Sequence, residues 1–450
     1  MLTRIELDGF KSFTNFALDL QPLTVVAGTN ASGKSNLFDA IQFLAALAGE
    51  DLRSALSAVR GEPHELFTRR ADGSYVNEMR LAVEVLVDPT IRDPWGQEQK
   101  LNQTRLRYEV RIVRRTDEAG LERMHITHEE ATPVRASDDS WARRLNPAPE
   151  FKRRHLKYVR RSAYLETEPA EQTFRLHRDG SQGRVRLLPA VSAEATVLSS
   201  ITTAEFGHLY ALREEIRSWR FLQLDPAALR APASYQAPER LEPSGANLAA
   251  VLARMKADTA DEDNDRGVLA DLSADLAHLI PGLTSVDVQD DETNRRWELL
   301  ISTREQAPYT ARVASDGTLR ILALLTALSD PDHGGVLAFE EPENGVHPAR
   351  LAPLVEHVRS LVTDPTAAPG DGFPLLQLLI TTHSPVVVRA LHSNEGVYFD
   401  ATTLTGEPEV RRTRARVIER ERTQPMFGPE EVRDAIPSGE VDRFLAGVAA

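Results

Sequence analysis

The sequence predicts an α/β protein with a mixed sheet, whose core is assembled from both ends of the chain around an inserted middle. Three observations predict this. Leu23–Ala27 (LTVVA) is a continuous, partly β-branched apolar run that leads into a Gly-rich loop and then a helical pattern, as a strand buried on both faces should. Two similar runs, Gly335–Phe339 (GVLAF) and Leu375–Thr381 (LLQLLIT), stand far downstream. Between these, Leu81–Val87 and Arg105–Val113 alternate apolar and polar residues, the pattern of antiparallel strands with one wet face.

From the start of the chain, Ile5–Leu7 and Ala17–Leu20 read as short strands around a turn at Lys11-Ser12-Phe13. The helix after the Gly-rich loop runs from Ser35 to Leu47, with Leu37, Ile41, Leu44 and Ala48 on one face. Residues 1–87 form the first part of the core on this reading, and residues 88–194, polar, Arg-rich and broken by Pro and Gly, form an insertion of mixed β and helix. Residues 195–284 read as a helical lobe, with helices over Thr203–Leu222, Ala246–Lys256 and Gly267–Leu279, the last ended by Pro281-Gly282. Residues 285–399 complete the core, with strands at Ser285–Val288 and Trp297–Ile301 and helices over Asp316–Leu328 and Pro348–Val362. Residues 400–450 are charged and weakly patterned and read as a C-terminal tail.

A chain of 450 residues can bury a substantial core. It has no Cys, which excludes disulfides and thiolate metal sites. The first ten residues lack the apolar segment of a signal peptide, and no apolar run is long enough to cross a bilayer, so a cytoplasmic protein without membrane insertion is expected. The net charge of −14 argues against a surface that binds nucleic acid throughout. One local basic run, Lys152, Arg153, Arg154, Lys157, Arg160 and Arg161, reads first as a solvated face and second as a nucleic-acid contact, with DNA or RNA open as the partner.

The chemistry is concentrated in four short motifs. Gly28-Thr29-Asn30-Ala31-Ser32-Gly33-Lys34-Ser35 matches the P-loop pattern and has the strand and helix that such a loop requires on either side. Glycine lets successive N–H groups point at phosphate oxygens, and the helix that follows presents its positive end. ATP is the expected ligand, cradled by Gly28, Asn30, Ser32, Gly33, Lys34, Ser35 and Asn36. Lys34 would bridge the outer phosphates, and the Ser35 hydroxyl would hold Mg²⁺. The strand Gly335–Phe339 runs into Glu340-Glu341-Pro342-Glu343-Asn344 and places carboxylates at the sheet's carboxyl edge, where open α/β sheets bind ligands. By order, Glu340 is assigned to the metal and Glu341 to the attacking water as catalytic base. The second downstream strand ends in Thr382-His383-Ser384-Pro385, which lets His383 reach the γ-phosphate as a second catalytic residue. Finally, Ala314-Ser315-Asp316-Gly317-Thr318 opens a helix, offering a hydroxyl and free N–H groups; a plain helix N-cap is the competing reading.

These motifs, in this order, resemble the ABC-type P-loop ATPases, and most nearly the branch containing SMC, Rad50, RecF and the overcoming-lysogenization-defect proteins. Within it the chain looks like the prokaryotic AAA_21-group ATPases, through Ile5–Phe13 (IELDGFKSF), Glu242–Leu252 (EPSGANLAAVL), Ser315–Leu325 (SDGTLRILALL) and Glu340–Pro348 (EEPENGVHP). The likeness covers residues 1–87 and 195–395. It implies an ATPase head with a mixed sheet, an antiparallel β subdomain and a central α/β insertion. It also implies a homodimer in which Ser315, Asp316 and Gly317 contact the nucleotide held by the other copy. Glu340 departs from the Asp usual at the metal position, and the glutamine that senses Mg²⁺ in such enzymes has no clear counterpart; Gln42 lies inside the first helix.

The favoured reading is therefore a Mg²⁺-dependent dimeric ATPase, the motor or sensor subunit of a nucleic-acid-directed system such as phage defence or DNA repair. A separately encoded effector, for example a nuclease, would act with it. Only about sixty-five residues follow Pro385, less than a typical domain, which argues against a nuclease carried on the same chain. An ATPase subunit powering a membrane transporter is the alternative, disfavoured by the Ser-Asp-Gly-Thr motif and the long insertion. A coiled-coil role fails for want of heptads.

Overall fold

The computed structural model describes residues 1–118, 120–179, 185–331, 334–367, 374–404, 409–419 and 435–445. Two large sheets enclose the first helix. The nucleotide-side sheet has seven strands in the order Arg220–Leu222, Gly335–Glu340, Leu376–Thr382, Leu23–Gly28, Gly396–Leu404, Val410–Glu419 and Ala435–Pro437. Its first five strands are parallel and Val410–Glu419 returns antiparallel, so the sheet is mixed. Leu23–Gly28 is central, paired with Leu376–Thr382 on one side and Gly396–Leu404 on the other.

That position explains the unbroken apolar runs. Val26, Val336, Ala338 and Leu379 face a core shared with the first helix, Lys34–Leu47, through Leu37, Phe38, Ile41 and Leu44. Val25, Leu337, Phe339, Leu378 and Ile380 face a second core with Leu322 and Leu325 of helix Asp316–Ser329 and Leu354 of helix Pro348–Leu361. A strand packed on both faces has no polar side to show.

The second sheet is antiparallel and eight-stranded, in the order Arg186–Pro189, Thr173–Leu176, Leu165–Glu168, Glu122–Pro133, Arg105–Thr116, Glu78–Leu86, Leu2–Asp8 and Phe16–Asp19. It crosses the boundary drawn at residue 88, because Glu78–Leu86 pairs with Arg105–Thr116 along its whole length. On its wet face Arg107 and Arg4 hold the Glu6 carboxyl, and Arg80 and Arg111 the Glu109 carboxyl, down to about 2. Burial opposes them by raising both values. These charges made the segment read as polar insertion.

Two other readings change. The helix expected over Thr203–Leu222 is Gly207–Arg217, and Arg220–Leu222 is instead the edge strand beside Gly335–Glu340. Trp219, Phe221 and Leu222 suit either period, and pairing with a buried strand decided for β. The segment read as a tail contributes strands Gly396–Leu404 and Val410–Glu419 to the central sheet, where Arg414 and Arg416 both pair with Asp400. Residues 405–408, 420–434 and 446–450 of that tail lie outside the described residues. Among the described residues, no helix is long and apolar enough to cross a membrane.

Candidate active site

Register alone brings three of the motifs together. Ala27 pairs with Thr382, and Glu340 pairs with Thr381, so Gly28, Glu340 and His383 leave adjacent parallel strands at the same carboxyl edge. The P-loop then turns on Gly33, whose φ of 101° lies in the left-handed region that glycine adopts without strain, and the helix begins at Lys34. Thr29, Asn30 and Ala31 are exposed at the loop's crest, whereas Ser32, Gly33 and Lys34 are buried.

Lys34 Nζ donates to the carbonyls of Gly28 (2.9 Å) and Thr29 (3.0 Å), closing the loop on itself. Burial lowers its pKa to about 8, against the pull of Glu341, Glu343 and Glu340 in the other direction. Lys34 and the acidic strand end therefore share one electrostatic environment within a single chain. His383 belongs to it too: burial, then the Lys34 charge, lowers its pKa from the ordinary value, while Glu341 and Glu343 oppose this.

Glu341 has a positive φ of 50°, unusual for a residue with a side chain. Its N–H donates to Thr381 O (3.0 Å), and Arg320 donates to the carbonyls of both Glu340 and Glu341. The backbone is thus fixed on both sides of the bend. The side chain places Oε1 3.5 Å from His383 Nε2, while Oε2 accepts from Asn344 Nδ2 at 2.7 Å. Glu340 Oε1 is buried and without a hydrogen-bond partner. Such an orphan carboxylate oxygen suits a cation or its water shell. Among the described residues no three His, Cys, Asp or Glu cluster as metal ligands. A Mg²⁺ held by one carboxylate, one hydroxyl and phosphate oxygens needs no such cluster.

Sequence reasoning passed over two residues here. Glu343 Oε1 accepts from Thr382 Oγ1 (2.8 Å) and His383 N (2.7 Å), tying the acidic loop to the histidine loop; Glu343 Oε2 is a second buried oxygen without a partner. Its place in the Glu-Glu-Pro-Glu run was the available signal. Arg320, over the Phe339 ring, had only its charge in an apolar helix to mark it. Gln42, the weak candidate for a metal sensor, donates to Ala58 O, and Asn36 Nδ2 donates to Ser12 Oγ.

Ser315, Asp316 and Gly317 stand apart. Ser315 caps helix Asp316–Ser329 by accepting from Thr318 N at 3.2 Å, and Asp316 pairs with Arg230. Gly317 lies so close to the acidic loop that an added Cβ would meet Gly345 O at 2.0 Å. Among the described residues none of the three is hydrogen-bonded or ion-paired to the P-loop. Ser315 and Asp316 are exposed, and Val313, just before them, is 73% exposed.

In the basic run, Lys152, Arg153 and Arg161 are exposed, but Arg160 is structural: it donates to Ser162 O and Ala163 O and lies 4.1 Å from the centre of the Tyr164 ring.

Comparison with known proteins supports an ATPase of this fold. A family model described as "AAA domain, putative AbiEii toxin, Type IV TA system" matches residues 209–389, and one described as "AAA ATPase domain" matches residues 1–91. No curated protein matches in sequence. Among solved structures, the chain is similar to an Smc head bound to the C-winged helix domain of ScpA, at 12% identity and a TM-score of 0.51, over 92% of this chain and 98% of that one. An Smc head with an extended coiled coil from Pyrococcus furiosus, bound to the C-terminal domain of ScpA, gives 12% identity and a TM-score of 0.44 over 92% and 96%. The SMC head domain from Thermotoga maritima gives 12% and 0.35 over 92% and 97%.

Proposed function

We propose that this P-loop ATPase, whose fold is similar to that of SMC heads, works as two copies that close head to head around two ATP molecules, each held by one copy's P-loop and the other copy's Ser315-Asp316-Gly317. The observation that carries this reading is the state of Ser315. It is exposed beside an exposed valine and, among the described residues, is bonded only within its own helix turn, with no link to its own P-loop. A helix start with a hydroxyl and a dipole fits a phosphate brought by another molecule.

Within one site, the N–H groups of the loop and Lys34 bind the phosphates. Lys34 exchanges its two carbonyl partners for phosphate oxygens as the nucleotide enters. Glu341, held by its bent backbone, orients the attacking water and takes its proton. His383, with its lowered pKa, is neutral near pH 7 and offers one N–H to the γ-phosphate. Ser35 and Glu340 would hold Mg²⁺, which supplies charge neutralisation of the phosphates when bound.

In the cell we place this ATPase as the motor or sensor of a defence system with a separately encoded effector. The toxin–antitoxin wording of the family that matches residues 209–389 supports defence.

Mixing tests the dimer. Lys34→Ala removes one face of each site and Ser315→Arg obstructs the other, so each variant alone is nearly inactive. Their heterodimers contain one intact site, and ATPase activity partly returns on mixing. Full activity of the Ser315→Arg protein alone, or a Glu341→Gln form that binds ATP yet stays monomeric, overturns the proposal.

A further inference from the structure

The peptide that joins Ser32 to Gly33 is gripped from outside the P-loop. Thr413, on strand Val410–Glu419, donates from Oγ1 to the Ser32 carbonyl at 2.9 Å. It also fills the space over Gly33, where an added Cβ would stand 2.1 Å from Thr413 Oγ1. Ser12 Oγ lies 2.8 Å from Thr413 Oγ1, Asn36 Nδ2 donates to Ser12 Oγ at 2.9 Å, and Thr413 N donates to Ser12 O at 2.8 Å.

The direction of this chain of bonds follows from its ends. An amide nitrogen can only donate and a carbonyl oxygen can only accept. Thr413 has one hydroxyl proton, and it goes to Ser32 O. Ser12 must therefore donate to Thr413, having accepted from Asn36. The relay runs one way, from Asn36 through Ser12 and Thr413 to Ser32.

A trans peptide is planar, with its C=O and N–H pointing in opposite directions. Holding the Ser32 carbonyl toward Thr413 turns the Gly33 N–H to the opposite side. We propose that Thr413 is a positioning residue for ATP binding: through the Ser32 carbonyl it aims the Gly33 N–H at a phosphate oxygen. The inference rests on the P-loop reading and adds to it a residue 381 positions from its partner, on a strand outside the motif. The affinity for nucleotide then depends on the docking of the C-terminal strand, without any contact between Thr413 and the nucleotide.

The test is titration of the full chain with a fluorescent ATP analogue, together with steady-state ATPase kinetics. Thr413→Val keeps the shape and removes the hydroxyl. It raises Kd and KM roughly fivefold to tenfold, the scale of one hydrogen bond, and leaves kcat at saturating ATP within about twofold. Thr413→Ser restores the hydroxyl and binds within about twofold of the parent. Ser12→Ala breaks the relay one link away with the C-terminal strand untouched, and moves Kd in the same direction as Thr413→Val. Parent-like Kd in both Thr413→Val and Ser12→Ala, beside a Lys34→Ala protein that loses binding, overturns the relay and leaves the P-loop reading intact. Equal losses in Thr413→Ser and Thr413→Val also overturn it, since packing would then be the cause. Undiminished binding by Lys34→Ala removes the P-loop reading and the relay with it.

Discussion

The P-loop is buttressed by side chains from distant parts of the chain, while the Ser315 hydroxyl bonds only within its own first turn among the described residues, beside an Asp316 held by Arg230. Around the P-loop, Thr413, Ser12 and Asn36 form one set of bonds, while Glu340, Glu341 and Glu343 act on Lys34, which in turn acts on His383. Ser315 bonds to Thr318, the third residue of its own helix, and is itself exposed. The first region is preorganised by its own fold. Among the described residues Ser315 has no bond to that region, and that difference is what the proposed shared site between two copies requires.

The largest test of this contrast acts on the preorganised side. Glu341→Gln keeps the Asn344 contact and the bent backbone but removes the base. Hydrolysis falls by about 10²–10⁴-fold, the usual scale of a general base, while ATP stays bound and the dimer accumulates. Single-turnover measurements with labelled ATP check this, and turnover within about threefold of the parent breaks the assignment.

A second test uses pH. Lys34, lowered to about 8, is charged at pH 7 and loses its proton as pH rises through that value. Phosphate binding needs the charged form, so affinity is present below this window and lost above it. Between pH 7 and 9 the apparent Kd for ATP rises by up to about tenfold, one proton's worth of titration. Lys34→Arg keeps its charge throughout and flattens the dependence. A flat profile in the parent shows that Lys34 is not the group that binds.

The smallest test sharpens the other end. Ser315→Ala removes a helix cap and costs about 1 kcal/mol of stability, read by denaturant unfolding without nucleotide. If Ser315 also meets a partner's phosphate, the loss of ATPase activity exceeds anything that stability explains, and ATP-dependent dimerisation weakens. A stability loss alone, with activity retained, makes Ser315 a cap and nothing more.

The legible parts of the site were those whose chemistry is confined to a few consecutive residues. Gly28–Ser35 and Glu340–Asn344 each carry their own geometry, since a strand must precede them and the residue types are dictated by phosphate and water. His383 could be placed because the strand it follows, Leu376–Thr382, is buried on both faces and largely apolar. Thr413 could not, because its role comes from a hydrogen bond to residue 32 and no local pattern records such a partner. Its strand was hidden as well. Arg412, Arg414 and Arg416 break the apolar alternation, and the ion pairs that Asp400 makes with the last two, together with the Tyr398 ring under Arg416, help make half-burial of those charges acceptable. The long sheet across residue 88 was obscured in the same way by its ladder of arginines and glutamates.

The central strand also has a history in time. Leu23–Gly28 is made early, but both of its neighbours, Leu376–Thr382 and Gly396–Leu404, are made late, and its backbone has no sheet partner until they arrive. At roughly 5–20 residues per second, the wait on the ribosome is on the order of twenty seconds to a minute. The antiparallel sheet, whose strands all precede residue 190, can assemble during that interval. A growing chain therefore carries the whole phosphate-binding sequence long before the strand that leads into it has either of its sheet neighbours, and assembly of the site waits for Leu376–Thr382 and Gly396–Leu404.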